Sequence, residues 1–164
     1  MLSKTMENAI NDQIKHEFYS AYLYLSMEAH LEAHNLPGFA HWMRVQFQEE
    51  QEHALKFYDY VHARGGAVKL QAIDQPPSDW KSSLELFQQV LEHERKVTGL
   101  IHKLYELAVK ENDYAAQIML QWFIAEQVEE EKNAADIIAS LELIDAHGTA
   151  VLMLDKQLGK RGKD

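Results

Sequence analysis

The chain has 164 residues and 46% hydrophobic side chains, enough for one domain with a sizeable core and unlike the composition of a disordered protein. Cysteine is absent, which excludes disulfides, thiolate zinc sites, iron–sulfur clusters and thiol catalysis and leaves oxygen and nitrogen as the metal ligands available. A formal net charge of −10 argues against nucleic acid or an anionic membrane as a main partner and favours small cations, and residues 1–13 carry neither a signal-peptide core nor a spanning run, so a cytoplasmic location is expected.

Glycine and proline are scarce and clustered, which makes the punctuation legible. A first helix is expected from about Thr5 to His34, ended by Leu36-Pro37-Gly38, and a second from Gly38 to Arg64, stopped by Gly65-Gly66. The stretch from Ala67 to Lys81, with Pro76-Pro77, reads as a long irregular linker. Ser82-Ser83-Leu84-Glu85 matches a capping box and starts a third helix that should reach about Glu111. Asn112-Asp113 offers a turn and an N-cap for a fourth helix to about Leu143. Gly148 closes that region, Thr149 to Leu158 reads as a short fifth helix, and the basic end around Lys160, Arg161 and Lys163 reads as a frayed tail. No strand-like alternation of useful length occurs, so the chain is all-α.

Each of the four long helices carries an apolar stripe at spacings of three and four. The stripes run Ile10, Ile14, Glu17, Ala21, Tyr24, Glu28, Leu31, then Phe39, Met43, Gln46, Glu50, His53, Phe57, Tyr60. The third and fourth run Leu84, Phe87, Leu91, Glu94, Thr98, Ile101, Tyr105 and Ala116, Phe123, Gln127, Glu130, Ala134, Ile137, Leu141. Every stripe is broken near its middle by a glutamate, and a bundle core has no ordinary use for four of them. Burying each ionised carboxylate costs several kcal/mol, so four would rival the roughly 5–15 kcal/mol stability of a whole domain. Two divalent ions would neutralise them, with His53 completing the coordination. Counted from the intervening turns, the polar positions of each hairpin fall at nearly the same depth. The linker is long enough to return along the bundle, at about 3.3–3.6 Å per residue, so a long crossover between helices two and three is expected over a simple up-down-up-down order. Hard oxygen ligands with one imidazole suit Fe(II) or Mn(II) better than structural zinc.

Glu50-x-x-His53 on one helix, with Glu17 and Glu94 each on another, is the ligand set of a carboxylate-bridged di-iron site. At this point the chain resembles the non-haem bacterial ferritins, and the resemblance covers nearly its whole length. It implies a ferritin-like four-helix bundle, one domain over residues 1–164 with the bundle at about 5–143, a fifth helix at about 149–158 and a disordered basic tail at 159–164. It implies that Glu17, Glu50 and His53 bind a first iron and that Glu50 bridges to a second held by Glu94 and Glu130. Gln127 corresponds to a site-lining glutamine and Tyr24 to a tyrosine packed beside the ligands. Glu49, Glu126 and Glu129 correspond to a third iron site sharing Glu130. The implied activity is a ferroxidase: Fe(II) is oxidised by O2 or H2O2 and ferric oxyhydroxide collects inside a 24-subunit octahedral cage, with the fifth helix near the four-fold axes.

Departures from neighbouring families sharpen this reading. Asn133 stands where bacterioferritins carry a second motif histidine, and Gln51 where they carry a haem-ligating methionine, so no haem is expected. Rubrerythrins need cysteines, and mini-ferritins build their sites between subunits and lack the fifth helix. Two other functions remain open at this level: a metal-storing cage without rapid oxidation, and a diiron oxygenase-like enzyme acting on an organic substrate. Trp122 reads as a core or interface aromatic, and Val151-Leu152-Met153-Leu154 as an oligomer contact. His30, His34, His41, His62, His93, His102 and His147 show no paired ligand spacing, and most are expected at the surface.

Overall fold

The computed structural model describes residues 1–144 and 148–162; the expectations for His147 and Lys163 lie outside the described residues. Five helices follow in order: α1 (Lys4–Ala33), α2 (Pro37–Ala63), α3 (Ser83–Lys110), α4 (Tyr114–Ile144) and α5 (Gly148–Leu158), with no strand among the described residues. All five fall within one or two residues of the sequence expectation.

The caps explain that agreement. Ser3 Oγ accepts the Met6 N–H at 3.0 Å and Ser82 Oγ the Glu85 N–H at 3.1 Å, while Asp113 Oδ1 accepts the Ala116 N–H at 3.0 Å to open α4. The return bond of the expected capping box is displaced by one residue: the Glu85 carboxylate takes the Lys81 N–H at 2.6 Å rather than that of the Ser82 cap. At the C-terminal ends, Asn35, Gly65 and Asn112 adopt left-handed φ of 58°, 69° and 55°, which closes the last helical turns in the manner of a C-terminal cap.

Side-chain pairs set the direction of each helix. Ser3, before α1, bonds Glu111, after α3, at 2.5 Å, and Ser20 meets His93 at 2.8 Å, so α1 and α3 run antiparallel. Each is also antiparallel to its hairpin partner, so α2 and α3 run parallel and need a chain that returns along the bundle. Residues 67–81 do this by tracking α1. Lys69 N–H donates to Asn11 at 2.6 Å, Gln71 to Asp12 at 2.7 Å, and the Pro77 carbonyl accepts from Ser26 at 2.6 Å before Trp80 buries its ring beside His30.

The core is divided in two. One apolar cluster holds Tyr24, Met27, Leu31, Phe39, Met43, Phe87 and Ile137; the other holds Met6, Ile10, Ile14, Phe57, Ile101, Leu120 and Phe123. Between them lies the polar belt of the four stripes. On α3 the seam is turned from the expected one: Leu86, Val90, Val97 and Leu104 are buried, whereas Leu84, Leu91, Thr98 and Tyr105 are half-buried. Both rows share Phe87, Glu94 and Ile101, and an interval of strict sevens drifts across the surface of a straight 3.6-residue helix.

The short α5 packs on α2 and α4. Asp155 reaches the start of α2, where Leu36 offers no side-chain cap, and its Oδ1 accepts the N–H groups of Gly38 and Phe39 at 2.8 and 2.9 Å. Glycine at 38 permits this approach, because a Cβ there would lie 1.7 Å from the Asp155 carbonyl oxygen. Leu154 and Leu158 face the bundle, while Leu152 and Met153 are exposed. The expected frayed tail is not what residues 159–162 form. They turn back onto α2, and the Arg161 guanidinium sits 4.3 Å from the centroid of the Trp42 ring, held by that cation–aromatic contact and by a hydrogen bond to Gln46.

Candidate metal centre

Four glutamates, one from each long helix, meet in the belt between the two apolar clusters. Glu17, Glu50, Glu94 and Glu130 are all buried, Glu17 to 1% exposure. None has a lysine or arginine partner among the described residues; the single ion contact is His53 Nδ1 to Glu50 Oε2 at 3.5 Å. The seam carboxylate Glu28 shows the contrast, since Arg44 Nε and Nη2 approach its Oε1 at 2.8 and 2.7 Å. Uncompensated burial of this kind is unfavourable for the ionised form.

The cluster therefore holds protons. Burial, reinforced by the charge of Glu50, pushes Glu17 up to about 8. Burial also raises Glu94 to about 7, although Tyr24 and Gln127 donate to it, and raises Glu130 to about 7 with help from the charge of Glu94. Glu50, at the centre, is driven well above the usual carboxylate range by burial and then by Glu94 and Glu130.

Glutamines frame the acids. Gln13 Nε2 donates to Glu17 Oε1 at 2.7 Å, and Gln46 Nε2 spans Glu130 Oε2 at 2.7 Å and Glu50 Oε1 at 3.2 Å. Gln127 Nε2 donates to the carboxylate and the backbone carbonyl of Glu94, both at 3.1 Å. Tyr24 donates its hydroxyl to Glu94 Oε1, and its own ionisation is pushed well up by burial and by that carboxylate, so the phenol stays protonated. Neither Gln13 nor Gln46 was expected at the site. Both precede a belt glutamate by four residues, one helical turn, and that spacing is the signal that could have found them.

One oxygen has no partner. Glu17 Oε2 is fully buried and accepts no hydrogen bond, and it belongs to a triad, Glu17, Glu50 and His53, whose ligand atoms all lie within 4.8 Å of one another. Among the described residues this is the one such group. Glu94 and Glu130 lie outside it, yet close enough for their charges to raise Glu50. An orphaned carboxylate oxygen facing a carboxylate and an imidazole fits a hard or borderline divalent ion.

The three carboxylates of the expected third site are not gathered into a ligand cluster. Glu49 is half-buried and paired with Arg161, Glu126 is half-buried, and Glu129 is exposed. Trp122, expected as a plain core or interface ring, instead stands edge-on to His53 with centroids 5.4 Å apart, and the Lys56 ammonium caps its face at 3.6 Å. Of the histidines expected at the surface, His34, His62 and His102 are exposed. His93 is not: it bonds Ser20, packs against Tyr24, and burial lowers it to about 4. His30 is also enclosed, between Asp79 and the Trp80 ring.

Comparison with known proteins agrees with this arrangement. The family model of the ferritin-like domain matches residues 7–144. A bacterial non-heme ferritin of Bacteroides fragilis (strain 638R) is 44% identical over 161 residues, covering 98% of this chain and 100% of that protein. A bacterial non-heme ferritin of Staphylococcus aureus (strain USA300) is 37% identical, covering 100% and 99%. The crystal structure of an open-pore ferritin from the hyperthermophilic archaeon Archaeoglobus fulgidus superposes with a TM-score of 0.97 at 52% identity, covering 98% of this chain and 99% of that one. With the antiparallel hairpins, the crossover along α1 and the four belt glutamates, these matches establish that the chain belongs to the ferritin family.

Proposed function

We propose that the protein stores iron and renders it harmless by oxidising Fe(II) at an intrasubunit two-metal centre and depositing ferric oxyhydroxide within a shell of 24 copies of the chain, in the cytoplasm. The observation that carries this reading is the set of four buried glutamates without a cationic side chain, one of which leaves an oxygen unpartnered beside His53. Glu17, Glu50 and His53 hold one ion. Glu50 extends toward a second, held by Glu94 and Glu130, with Gln127 and Tyr24 holding Glu94 in place. No haem is required by this chemistry.

The charges account for the sequence of events. Two Fe(II) ions balance four carboxylates, so binding expels the protons the metal-free cluster keeps. Oxidation adds positive charge against the same ligands, which weakens the match and favours hydroxide and water-derived oxygen on the product. With O2 as oxidant, four Fe(II) give up four electrons and, with six waters, become four FeOOH and eight H+. With H2O2, two Fe(II) give up two electrons and, with two waters, become two FeOOH and four H+. The departing iron leaves the carboxylates free for another pair. Glu49, Glu126 and Glu129 would supply the third position on the way out. The exposed Leu152 and Met153 of α5 give the fifth helix an apolar face for contact between copies.

The test is stopped-flow oxidation of Fe(II) by the metal-free protein in aerated buffer. Rapid oxidation should saturate at two irons per subunit, and the E17A/E50A double variant should lose it while still eluting at the size of the parental assembly. Parental oxidation rates in that variant would refute the assignment.

A further inference from the structure

The C-terminal turn places a permanent positive charge against the outer side of the metal belt. Arg161 Nη1 donates to Gln46 Oε1 at 2.9 Å and to the Trp42 carbonyl at 3.4 Å, and Nη2 is paired with the Glu49 carboxylate. Its side chain is only 20% exposed, and its own carbonyl faces His41 Nε2 at 2.8 Å, so backbone and side chain are both tied to α2. Asp155, one turn and a half earlier, fixes α5 to the start of the same helix.

Two consequences follow from a guanidinium at this point. It can only donate, so it obliges the Gln46 amide to turn its oxygen outward and its NH2 inward, onto Glu130 and Glu50. It also pairs with the Glu49 carboxylate through Oε2. Glu49 is thereby occupied by a cation that is part of the chain.

We propose that Arg161 is a gate on the third metal position: its guanidinium occupies Glu49 Oε2 and orients Gln46, and a cation that takes that oxygen must displace the guanidinium. This rests on the reading of the belt as a two-iron centre. Iron passing from Glu130 would meet Arg161 as a competitor for the same carboxylate, which makes the third position weaker than the inner pair. Arg161 is a positioning residue, acting through Gln46 and Glu49.

Anaerobic calorimetric titration of the metal-free assembly with Fe(II) tests this, comparing the parent with R161Q, R161K, E49Q and R161Q/E49Q. The parent should show two tight ions per subunit and a weaker third. In R161Q the two tight ions remain and the third binds about two- to fivefold more tightly, the scale expected for releasing a partly exposed carboxylate from its ion pair. R161K, which keeps the charge but cannot fork across Glu49 and Gln46, should fall between. E49Q and R161Q/E49Q should lose the third ion. A third ion unchanged in R161Q, or strengthened equally in R161Q/E49Q, would overturn the gate while leaving the two-iron centre intact. Absence of the two tight ions in the parent would instead overturn the two-iron reading and the gate with it. Thermal melting of R161Q close to the parent is expected, because Asp155, not Arg161, anchors α5.

Discussion

Loading the metal-free centre with Fe(II) under anaerobic conditions should release protons, and the number released should fall as pH rises. The perturbation is the exchange of protons for metal at Glu17, Glu50, Glu94 and Glu130. In the metal-free fold Glu17 ionises at about 8, Glu94 and Glu130 at about 7, and Glu50 well above the usual range. Near pH 6 nearly all four carboxyls are therefore protonated, and two ions that require four carboxylates should expel about 3–4 protons per subunit. Near pH 8 Glu94 and Glu130 are already ionised and Glu17 is half so, which leaves about 1–2 protons. Calorimetric titration in pairs of buffers with different ionisation enthalpies gives the count directly, and excluding oxygen keeps the protons of mineral formation out of it. E17Q should lower the count near pH 6 by about one. Release of less than about one proton near pH 6, or a count that does not change with pH, would show that the carboxylates are not the neutral, buried cluster described above.

The same protons make the stability of the metal-free fold depend on pH. Glu17, Glu94 and Glu130 ionise near 4.5 when unfolded and at about 7–8 when folded, so their contribution is complete at low pH and is lost as pH rises through the folded values, at about 1.4 kcal/mol per pH unit for each. His93, lowered to about 4, acts in the opposite sense between about 4 and 6.5 and offsets one of them. Urea unfolding should thus show metal-free stability declining from about pH 5 to 7 and more slowly above about 7.5, and stability that rises between about pH 5 and 7 would refute the assignment. At the other end of the molecule, G38A should drive α5 off α2, because the new Cβ would overlap the Asp155 carbonyl and pull its carboxylate from the Gly38 and Phe39 N–H groups. The expected loss is about 1–3 kcal/mol from overpacking, with about 1 kcal/mol more from the cap, and a melting curve identical to the parent would count against the packing described.

The parts of this fold that local chemistry controls were legible in the sequence. Ser82, Asp113 and Gly65 each mark a helix end by a hydrogen bond or a backbone angle that few residue types supply. The crossover followed from length alone, since fifteen residues are too many for a turn. The α3 seam was misplaced because the heptad and the true helical period share positions 87, 94 and 101, and only the neighbouring helices decide which flanking row is buried. Arg161 was read as part of a solvated tail because its partners, Trp42, Gln46 and Glu49, lie more than a hundred positions away in the chain. Trp122 beside His53 is missed for the same reason: its role depends on where α2 sits against α4.

Burial alone does not separate the candidate ligands from the other seam acids. Glu28 lies on the same stripe of α1 as Glu17, three turns further on, and it too is buried with one carboxylate oxygen lacking a partner. Arg44 answers its charge from α2. Glu17 has no such answer. The difference lies in the partner helix: one turn before Glu50, α2 carries Gln46, a neutral donor that lowers the cost of a carboxylate without neutralising it, whereas opposite Glu28 it carries a guanidinium. A glutamine four residues before a stripe glutamate, as at Gln13 and Gln46, holds the acid in place and leaves its charge available to a metal. An arginine in the same role closes the site, which is the reason Glu28 is structural and Glu17 is a ligand candidate, and Arg161 stands over Glu49 in the same way.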